Sequence, residues 1–443
     1  MRPGELWLLA LTLLPVAGAP LAFHPAYTRY GALCRIALAA GIGAVVVSLL
    51  MTLAALVPIA WGIGWLLAAS LVVSSLLRLA LGREAEGPLA TEGGTRPTVL
   101  LAAALSAASV AAALFATFAA AASSTDLFRF WGPKAEAFAA ARTIDAVFLR
   151  APWLEHLHAD YPPLVTNLFA FATLAAGRFP WGAAMYTFPI FLAALAVALP
   201  GILAADRLEG QSKAVAALAV AVASLLGIVF LVAGIGDTVL LFYEACAMAL
   251  LTGPDAGRGS RLLLAGLFLA GATSAKVEGL PFTLAVAALV PLLSPRQRTL
   301  RAGLLLLGPT AICLGAWLAF GWTRQLFRFY FGYGRFDEVH MQNLPIVLRA
   351  IGSELALHVW GLPFLVPLAV LLFSRPVSRM VWLPLGTASL LTAFLVFTYL
   401  HTPQMVREWI TWSAGRIFTP VAVLLALAPL ARAGPDEGRE RGK

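Results

Sequence analysis

Residues 36–58 read I-A-L-A-A-G-I-G-A-V-V-V-S-L-L-M-T-L-A-A-L-V-P, a run of 23 residues without a charged side chain. An α-helix needs about 20 apolar residues to cross the hydrocarbon core of a bilayer. The run is therefore predicted to be a membrane-spanning helix. The same character extends over all 443 residues, of which 60% are hydrophobic and only 12% are charged. Because soluble domains carry about twice that charged fraction, the sequence predicts an all-α, polytopic helical membrane bundle.

About thirteen spans are predicted from the apolar runs and the turn residues between them. Residues 1–24 resemble a cleavable signal peptide, but further spans follow, so an uncleaved first helix is favoured. We predict a three-span module with a cytoplasmic linker over 1–97, the main bundle over 98–431 and a basic cytoplasmic tail over 432–443. The predicted spans are 5–23, 36–58, 60–82, 98–122, 181–205, 214–234, 237–252, 261–275, 279–294, 302–322, 345–373, 380–400 and 415–431.

Lysine and arginine residues set the predicted orientation. They are concentrated in short loops that all fall on one side, namely 206–213, 258–261, 296–301 and 375–379, together with the tail. Positive loops face the cytoplasm, so the longer segments 123–180, 323–344 and 401–414 are expected outside. These cytoplasmic loops also account for the net charge of +9. We therefore predict that the protein contacts membrane lipids and does not bind nucleic acid.

Residues 124–163 form a polar island in this apolar chain. The first part reads S-T-D-L-F-R-F-W-G-P-K-A-E-A-F (124–138) and the last part H-A-D-Y-P-P (158–163). Charged groups beside a membrane are costly and mark functional sites. Apolar residues at spacings of three and four predict an amphipathic surface helix over 126–142, with Lys134 and Glu136 toward water. Asp126 has two open interpretations, a cap of this helix or a catalytic base.

The second part of the island also has two interpretations. His158 and Asp160, with either His156 or Asp126, could hold a divalent metal such as Mg²⁺ or Mn²⁺. The spacing matches no strong metal motif, so a hydrogen-bonded polar turn is the alternative. No other cofactor is predicted.

The order of these residues resembles the first outer loop of the GT-C glycosyltransferases, which are multi-span enzymes that use lipid-phosphate-linked sugars. The group includes protein O-mannosyltransferases and aminoarabinose-transferase-like enzymes of the family 39 type. Three later segments also resemble the family, over a region of about 98–431: G-I-G-D-T-V-L-L-F-Y (234–243), T-S-A-K-V-E-G-L (273–280) and G-R-I-F-T-P (415–420). The three spans before residue 97 depart from simpler members. The residues of the island that match in order are Asp126, Trp131, Lys134, Ala135, His158, Asp160, Tyr161 and Pro162.

The resemblance implies a GT-C bundle that acts as a hexosyl- or pentosyltransferase. Such an enzyme would move a sugar from a polyprenyl-phosphate donor to a hydroxyl of a lipid, glycan or protein acceptor. The reaction would occur at the outer face of a bacterial cytoplasmic membrane. The resemblance implies Asp126 as general base with Asp160 as its catalytic partner. It also implies that the donor is bound by Lys134, His158, Tyr161, Asp237, Lys276, Glu278, Arg328 and Arg416.

Several of these residues have structural alternatives. Asp237 begins a predicted helix and is a candidate cap, while Lys276 and Glu278 are candidates for a solvated turn. Glu244 lies seven residues after Asp237 on the same helical face, either as a packing partner for Lys276 or on an acceptor path. Arg328, with its neighbours at 324 and 335, either grips phosphate or belongs to an interfacial aromatic belt.

Two other functions fit a polytopic chain of this kind, a transporter or lipid flippase and an oligosaccharide polymerase. Transporters show repeat symmetry and charges near the membrane midplane. This sequence has no visible repeat, and its charges cluster in the predicted outer segments.

Overall fold

The computed structural model of the chain describes residues 1–82, 96–120, 124, 126–159, 161–205, 236–253, 256–294, 299–326, 339–357, 379–401 and 406–428. Every regular element in these ranges is a helix, and none of them contains a strand. The all-α prediction is therefore confirmed.

The described α-helices range in length from 4 to 25 residues. In chain order they are α1 (Pro3–Leu11), α2 (Leu13–Ala22), α3 (Ala32–Leu56), α4 (Ile63–Leu81), α5 (Arg96–Ala120), α6 (Gly132–Ala141), α7 (Ala146–Leu149), α8 (Leu164–Ala176), α9 (Trp181–Ala184), α10 (Thr187–Ala205), α11 (Asp237–Thr252), α12 (Gly259–Ala275), α13 (Gly279–Leu293), α14 (Leu300–Thr323), α15 (Leu344–Leu357), α16 (Trp382–Leu400), α17 (Val406–Ile417) and α18 (Thr419–Leu427).

Six stretches of helix in the described ranges are long and apolar enough to cross a membrane. They are Pro3–Ala22, Ala32–Leu56, Ile63–Leu81, Trp181–Leu203, Leu300–Thr323 and Trp382–Leu400. Each coincides with a predicted span, which supports a membrane protein.

The predicted count of thirteen spans is not confirmed. The predictions at 261–275, 279–294 and 415–431 correspond to shorter apolar helices, as does part of 98–122. The prediction at 237–252 matches α11, which has 16 residues. The prediction at 214–234 and the second half of 345–373 lie outside the described residues.

Helix α8 is an apolar helix that the sequence pattern does not predict. Its 13 residues lie in a stretch assigned to an outer segment, and they are too few for a membrane span. The helix is buried against α1, α3 and α6. Its Asn167 amide donates to the Ser48 carbonyl and to the hydroxyls of Ser48 and Thr52, each at 3.2 Å. The polar island is thereby joined at its C-terminal end to the core of the bundle.

Helices α3 and α11 form the centre of the molecule. All 16 residues of α11 are buried, as expected for a helix surrounded by other helices. Helix α3 packs against α2, α8, α10, α12 and α14, so the N-terminal helices share one apolar core with the later ones. The domain boundary at residue 97 stays a prediction, because it adjoins residues 83–95 outside the described ranges.

Connections between helices that the structure describes contact one another at two ends of the bundle. At one end the Trp61 amide donates to the Arg142 carbonyl at 2.8 Å, and Arg324 donates to the Ala55 carbonyl at 3.5 Å. At the other end the Tyr27 hydroxyl donates to the Ser260 carbonyl at 2.6 Å. Segments that the charge pattern assigns to the same side therefore contact one another.

Helices α2 and α3 approach closely at two glycines. A Cβ atom on Gly43 would overlap the carbonyl group of Leu14, and one on Gly18 would overlap the carbonyl group of Ala39. Small residues are what allow helix backbones to pack at this distance in a membrane. Gly18 and Gly43 therefore allow α2 to pack directly on α3, which is part of the core.

We expect Gly43→Ala to destabilise the protein by about 1–3 kcal/mol, because the added methyl group forces the two backbones apart. Gly315→Ala in α14 is the matched control, since no described atom lies within 4 Å of its Cβ position. The control should be neutral or gain up to about 1 kcal/mol from helix propensity. Denaturant unfolding in detergent measures both. Equal stability of the two variants would contradict the packing of α2 on α3.

Candidate functional site

Asp126 stands at the start of an unusual turn. Residues Leu127–Trp131 form a π-helix, closed by the Gly132 amide donating to the Leu127 carbonyl. Such turns are rare and are frequent at functional sites. The Ser124 hydroxyl accepts from the Leu127 amide at 3.2 Å, whereas the Asp126 carboxylate makes no capping hydrogen bond. The geometry therefore gives the cap to Ser124 and leaves the Asp126 carboxylate, 38% exposed, for another role.

Five charged side chains from four separate segments meet at this end of the bundle, and we call them the ion cluster: Asp126, Asp237, Lys276, Glu278 and Arg416. The Arg416 guanidinium lies 3.2 Å from an Asp126 oxygen and 3.6 Å from an Asp237 oxygen. The Lys276 ammonium lies 2.8 Å from the other Asp237 oxygen and 3.3 Å from Glu278. Each cation therefore bridges two carboxylates, and Asp237 bridges both cations.

The cluster runs from the interior to the surface. The side chains of Asp237 and Lys276 are only 5% and 6% exposed, and exposure rises through Glu278 and Arg416 to Asp126. Lys276 and Glu278 consequently do not form the solvated turn that was one interpretation of the sequence. Asp237 lies in the first turn of α11, where a negative charge also stabilises the helix.

Lys276 remains charged in this setting. Burial by itself lowers the pKa of its ammonium, but the neighbouring carboxylates of Asp237 and Glu278 outweigh burial and raise the pKa above its usual value. Lysine ammonium groups already titrate near pH 10.4 when unperturbed. The Lys276 side chain is therefore positively charged near neutral pH.

The Trp131 ring lies beside the cluster, near Gly236 and Lys276. A Cβ atom on Gly236 would lie 3.0 Å from the Trp131 ring and 3.7 Å from the Lys276 side chain, so a larger residue would crowd the Trp131 ring. The buried Trp131 indole N–H has no hydrogen-bond partner among the described residues. The sequence pattern includes Trp131 but gives it no role. Its place at the site depends on a contact between segments more than 100 residues apart.

Lys134 is buried, and the prediction that it faces water is wrong. The side chain is 3% exposed, its ammonium lies 3.6 Å from the centre of the Phe130 ring, and it donates to the His158 carbonyl at 3.5 Å. A cation over an aromatic face contributes about 0.5–2 kcal/mol, which favours the buried position. Glu136, two residues later, is exposed as predicted.

His158 and Tyr161 lie beside the cluster rather than in it. Their rings pack on Phe130, with centres 5.2 and 4.9 Å from its own. The backbone of His158 has a φ of +48°, a conformation that is uncommon outside glycine. Tyr161 interacts electrostatically with both Lys276 and Arg416. The two parts of the island therefore meet.

Other predicted site residues lie outside what the structure describes. They are Asp160 and Arg328, as well as the side chain of His156. Within the described ranges, no group of three His, Cys, Asp or Glu side chains is placed to hold a metal ion. The predicted set of Asp126, His158 and Asp160 stays a prediction, because one of its members is not described.

No known protein family, curated protein or solved structure matches the chain. The chemistry of the site therefore has to be inferred from the site itself.

We expect Lys276→Met to destabilise the protein by about 3–5 kcal/mol, because it leaves the buried Asp237 carboxylate without its nearest cation. Asp237→Asn should have a similar effect for the opposite reason. The double variant should recover part of the loss, since no lone charge remains. Glu136→Gln, at an exposed position of the polar island, is the control and should change stability by less than about 0.5 kcal/mol. Additive losses in the double variant, measured by denaturant unfolding, would show that the two groups do not stabilise each other.

Proposed function

We propose that the protein is a membrane glycosyltransferase that uses a polyprenyl-phosphate-linked sugar. The donor would give its sugar to a hydroxyl group of a lipid, glycan or protein, at the outer face of a bacterial cytoplasmic membrane. The observation that carries the proposal is the ion cluster, in which the accessible Asp126 carboxylate pairs with Arg416, and Arg416 shares the buried Asp237 carboxylate with Lys276, at one end of an apolar bundle. The ordered resemblance of the polar island to the GT-C enzymes supports the same reaction.

Asp126 has the properties that the proposed base needs. It is the most exposed carboxylate of the cluster, and it is not used as a helix cap. In the proposed step its oxygen takes the proton of the acceptor hydroxyl while the acceptor oxygen bonds to the anomeric carbon of the sugar. The bond from that carbon to the phosphate oxygen breaks, and the polyprenyl phosphate leaves with the electron pair. Proton transfer of this kind contributes about 10²–10⁴-fold to a rate.

Lys276 and Arg416 are the proposed groups that stabilise the leaving phosphate. Fixed positive charges aimed at developing negative charge are a large source of rate enhancement. In the structure Arg416 pairs with Asp126 at 3.2 Å. Its planar guanidinium can donate two parallel hydrogen bonds to two oxygens of a phosphate. A donor phosphate that took over Arg416 would at the same moment release the Asp126 carboxylate for the acceptor. Donor binding and base activation would then be one event.

Asp126→Asn should lower glycosyl transfer by about 10²–10⁴-fold, since the amide cannot accept the proton. The test uses purified protein in lipid nanodiscs with a set of labelled polyprenyl-phosphate sugars and envelope acceptors. Asp145→Asn is the matched control, because this aspartate of the same segment caps α7 by accepting from the Phe148 amide at 2.9 Å. The control should change stability by less than about 0.5 kcal/mol, because asparagine caps a helix about as well as aspartate, and it should keep its activity. Full transfer by Asp126→Asn would refute the assignment of the base.

Arg416→Gln is expected to raise the donor KM and to lower kcat. Lys134→Met should leave the donor KM within about twofold, because the Lys134 ammonium is buried under Phe130, although the variant loses the stability of the cation–π contact. Steady-state kinetics with the donor as varied substrate separate the two residues. An equal rise in KM for both variants would place Lys134 at the phosphate, as the sequence resemblance implies.

A transporter or flippase and an oligosaccharide polymerase remain the alternative functions. Movement of the labelled lipid across a vesicle without formation of a glycosidic bond would identify the former. Products that grow by repeated addition of a lipid-linked oligosaccharide would identify the latter.

A further inference from the structure

Glu244 is a carboxyl group in the interior of the most buried helix, α11. It lies seven residues after Asp237, two turns along the same helical face, which corresponds to about 10 Å along the axis. The residue is 1% exposed, and neither of its carboxyl oxygens has a hydrogen-bond partner among the described residues. A packing role does not explain a carboxyl group that accepts no hydrogen bond from the described residues, and the acceptor-path interpretation stays a prediction.

The charged neighbours of Glu244 would not neutralise a negative charge on its carboxyl group. Asp237 on its own helix, and Lys276 and Glu278 between α12 and α13, interact with it electrostatically. One cation thus stands against two carboxylates, and that cation already lies 2.8 Å from one and 3.3 Å from the other.

The other described elements packed against α11 bring no further cation to this position. Helix α3, whose Gly41 carbonyl accepts from the Tyr243 hydroxyl, carries Arg35, but that side chain lies over the Phe23 ring. Helices α10, α13, α16 and α18 contain no charged side chain. Arg261 of α12 donates to the carbonyls of Ala249 and Leu250, near the opposite end of α11. Arg416 precedes α18 and is engaged by Asp126 and Asp237. Tyr399 of α16, the remaining titratable group on these four helices, shares a hydrogen bond with Ser413.

We propose that Glu244 is a proton-binding site, whose carboxyl group carries a proton at neutral pH and whose occupancy depends on the charge of the ion cluster. An ionised carboxylate without partners in an apolar interior is so unfavourable that such groups take up a proton instead. The cluster itself holds three carboxylates and two cations, so an ionised Glu244 would add to an existing negative excess.

A proton at this position has a consequence for anionic ligands. A phosphate that binds to Lys276 and Arg416 makes the cluster more negative, and it binds better while Glu244 is neutral. Proton and anion then bind cooperatively, and each raises the affinity for the other by the same factor. This consequence rests on the proposed function, whereas the proton site itself does not.

Infrared spectroscopy of the purified protein tests the proton site directly. Wild-type protein at neutral pH should show the C=O stretch of a buried carboxylic acid, and Glu244→Gln should lack it. Glu244→Asp, which keeps a carboxyl group, provides a second variant and should shift the band rather than remove it. Glu136→Gln, at an exposed position, should leave the band unchanged. A band that persists in Glu244→Gln, or that is absent from the wild type, would overturn the proposal.

The coupling to the cluster is tested by titrating the same band with pH. Removal of a neighbouring negative charge in Glu278→Gln should lower the midpoint, because ionised Glu244 is then repelled less. Removal of the positive charge in Lys276→Met should raise it. A midpoint that neither variant moves would refute the coupling.

Binding of a polyprenyl phosphate in detergent across the same pH range separates this inference from the proposed function. The wild type should lose affinity relative to Glu244→Gln as the pH rises through the infrared midpoint, while ionisation of the phosphate itself affects both proteins alike. Identical pH dependence in the two proteins would refute the cooperativity. No binding at any pH would refute the proposed donor and leave the infrared result standing.

Discussion

The ion pair between Lys276 and Asp237 is the interaction on which the arrangement of the site depends. Its two atoms lie 2.8 Å apart in a region that is almost closed to solvent. A buried charge is tolerated only when it is paired, so the first turn of α11 and the break between α12 and α13 must meet at this point. Arg416 and Glu278 complete the pairing, and Arg416 carries it outward to Asp126.

The charged groups of the cluster share a structural position, because each lies at an end of a helix or at an interruption in one. Asp237 begins α11, Lys276 follows α12, Arg416 is close to the end of α17, and Asp126 precedes the π-helix. Helix ends offer unsatisfied backbone groups and tolerate charge better than helix interiors. Glu244 is not a member of the cluster, and it lies in the interior of α11 rather than at a helix end. Its protonation state is therefore a separate question from the charges of the cluster.

The sequence predicted the helical fold and the six long spans, because an apolar run of sufficient length needs no tertiary information to be recognised. Through the family resemblance it also selected all five members of the cluster. It could not predict the burial of Lys134, which depends on the aromatic ring that the π-helix turns toward it, or α8, whose 13 residues are too few for a span. The contact between Asp126 and Arg416 joins residues 290 positions apart, so local spacing carries no sign of it. The domain boundary and the metal set stay predictions.

The separation of these residues along the chain has a consequence for biosynthesis. A ribosome delivers Asp126 first, then Asp237, then Lys276 after a further 39 residues, and Arg416 only 290 residues after Asp126. Until Lys276 has left the ribosome, the carboxylate of Asp237 has neither of the cations that it pairs with in the folded chain. The first turn of α11 therefore completes its pairing late in insertion. A nascent chain that stops before α17 would lack the bridge that reaches Asp126.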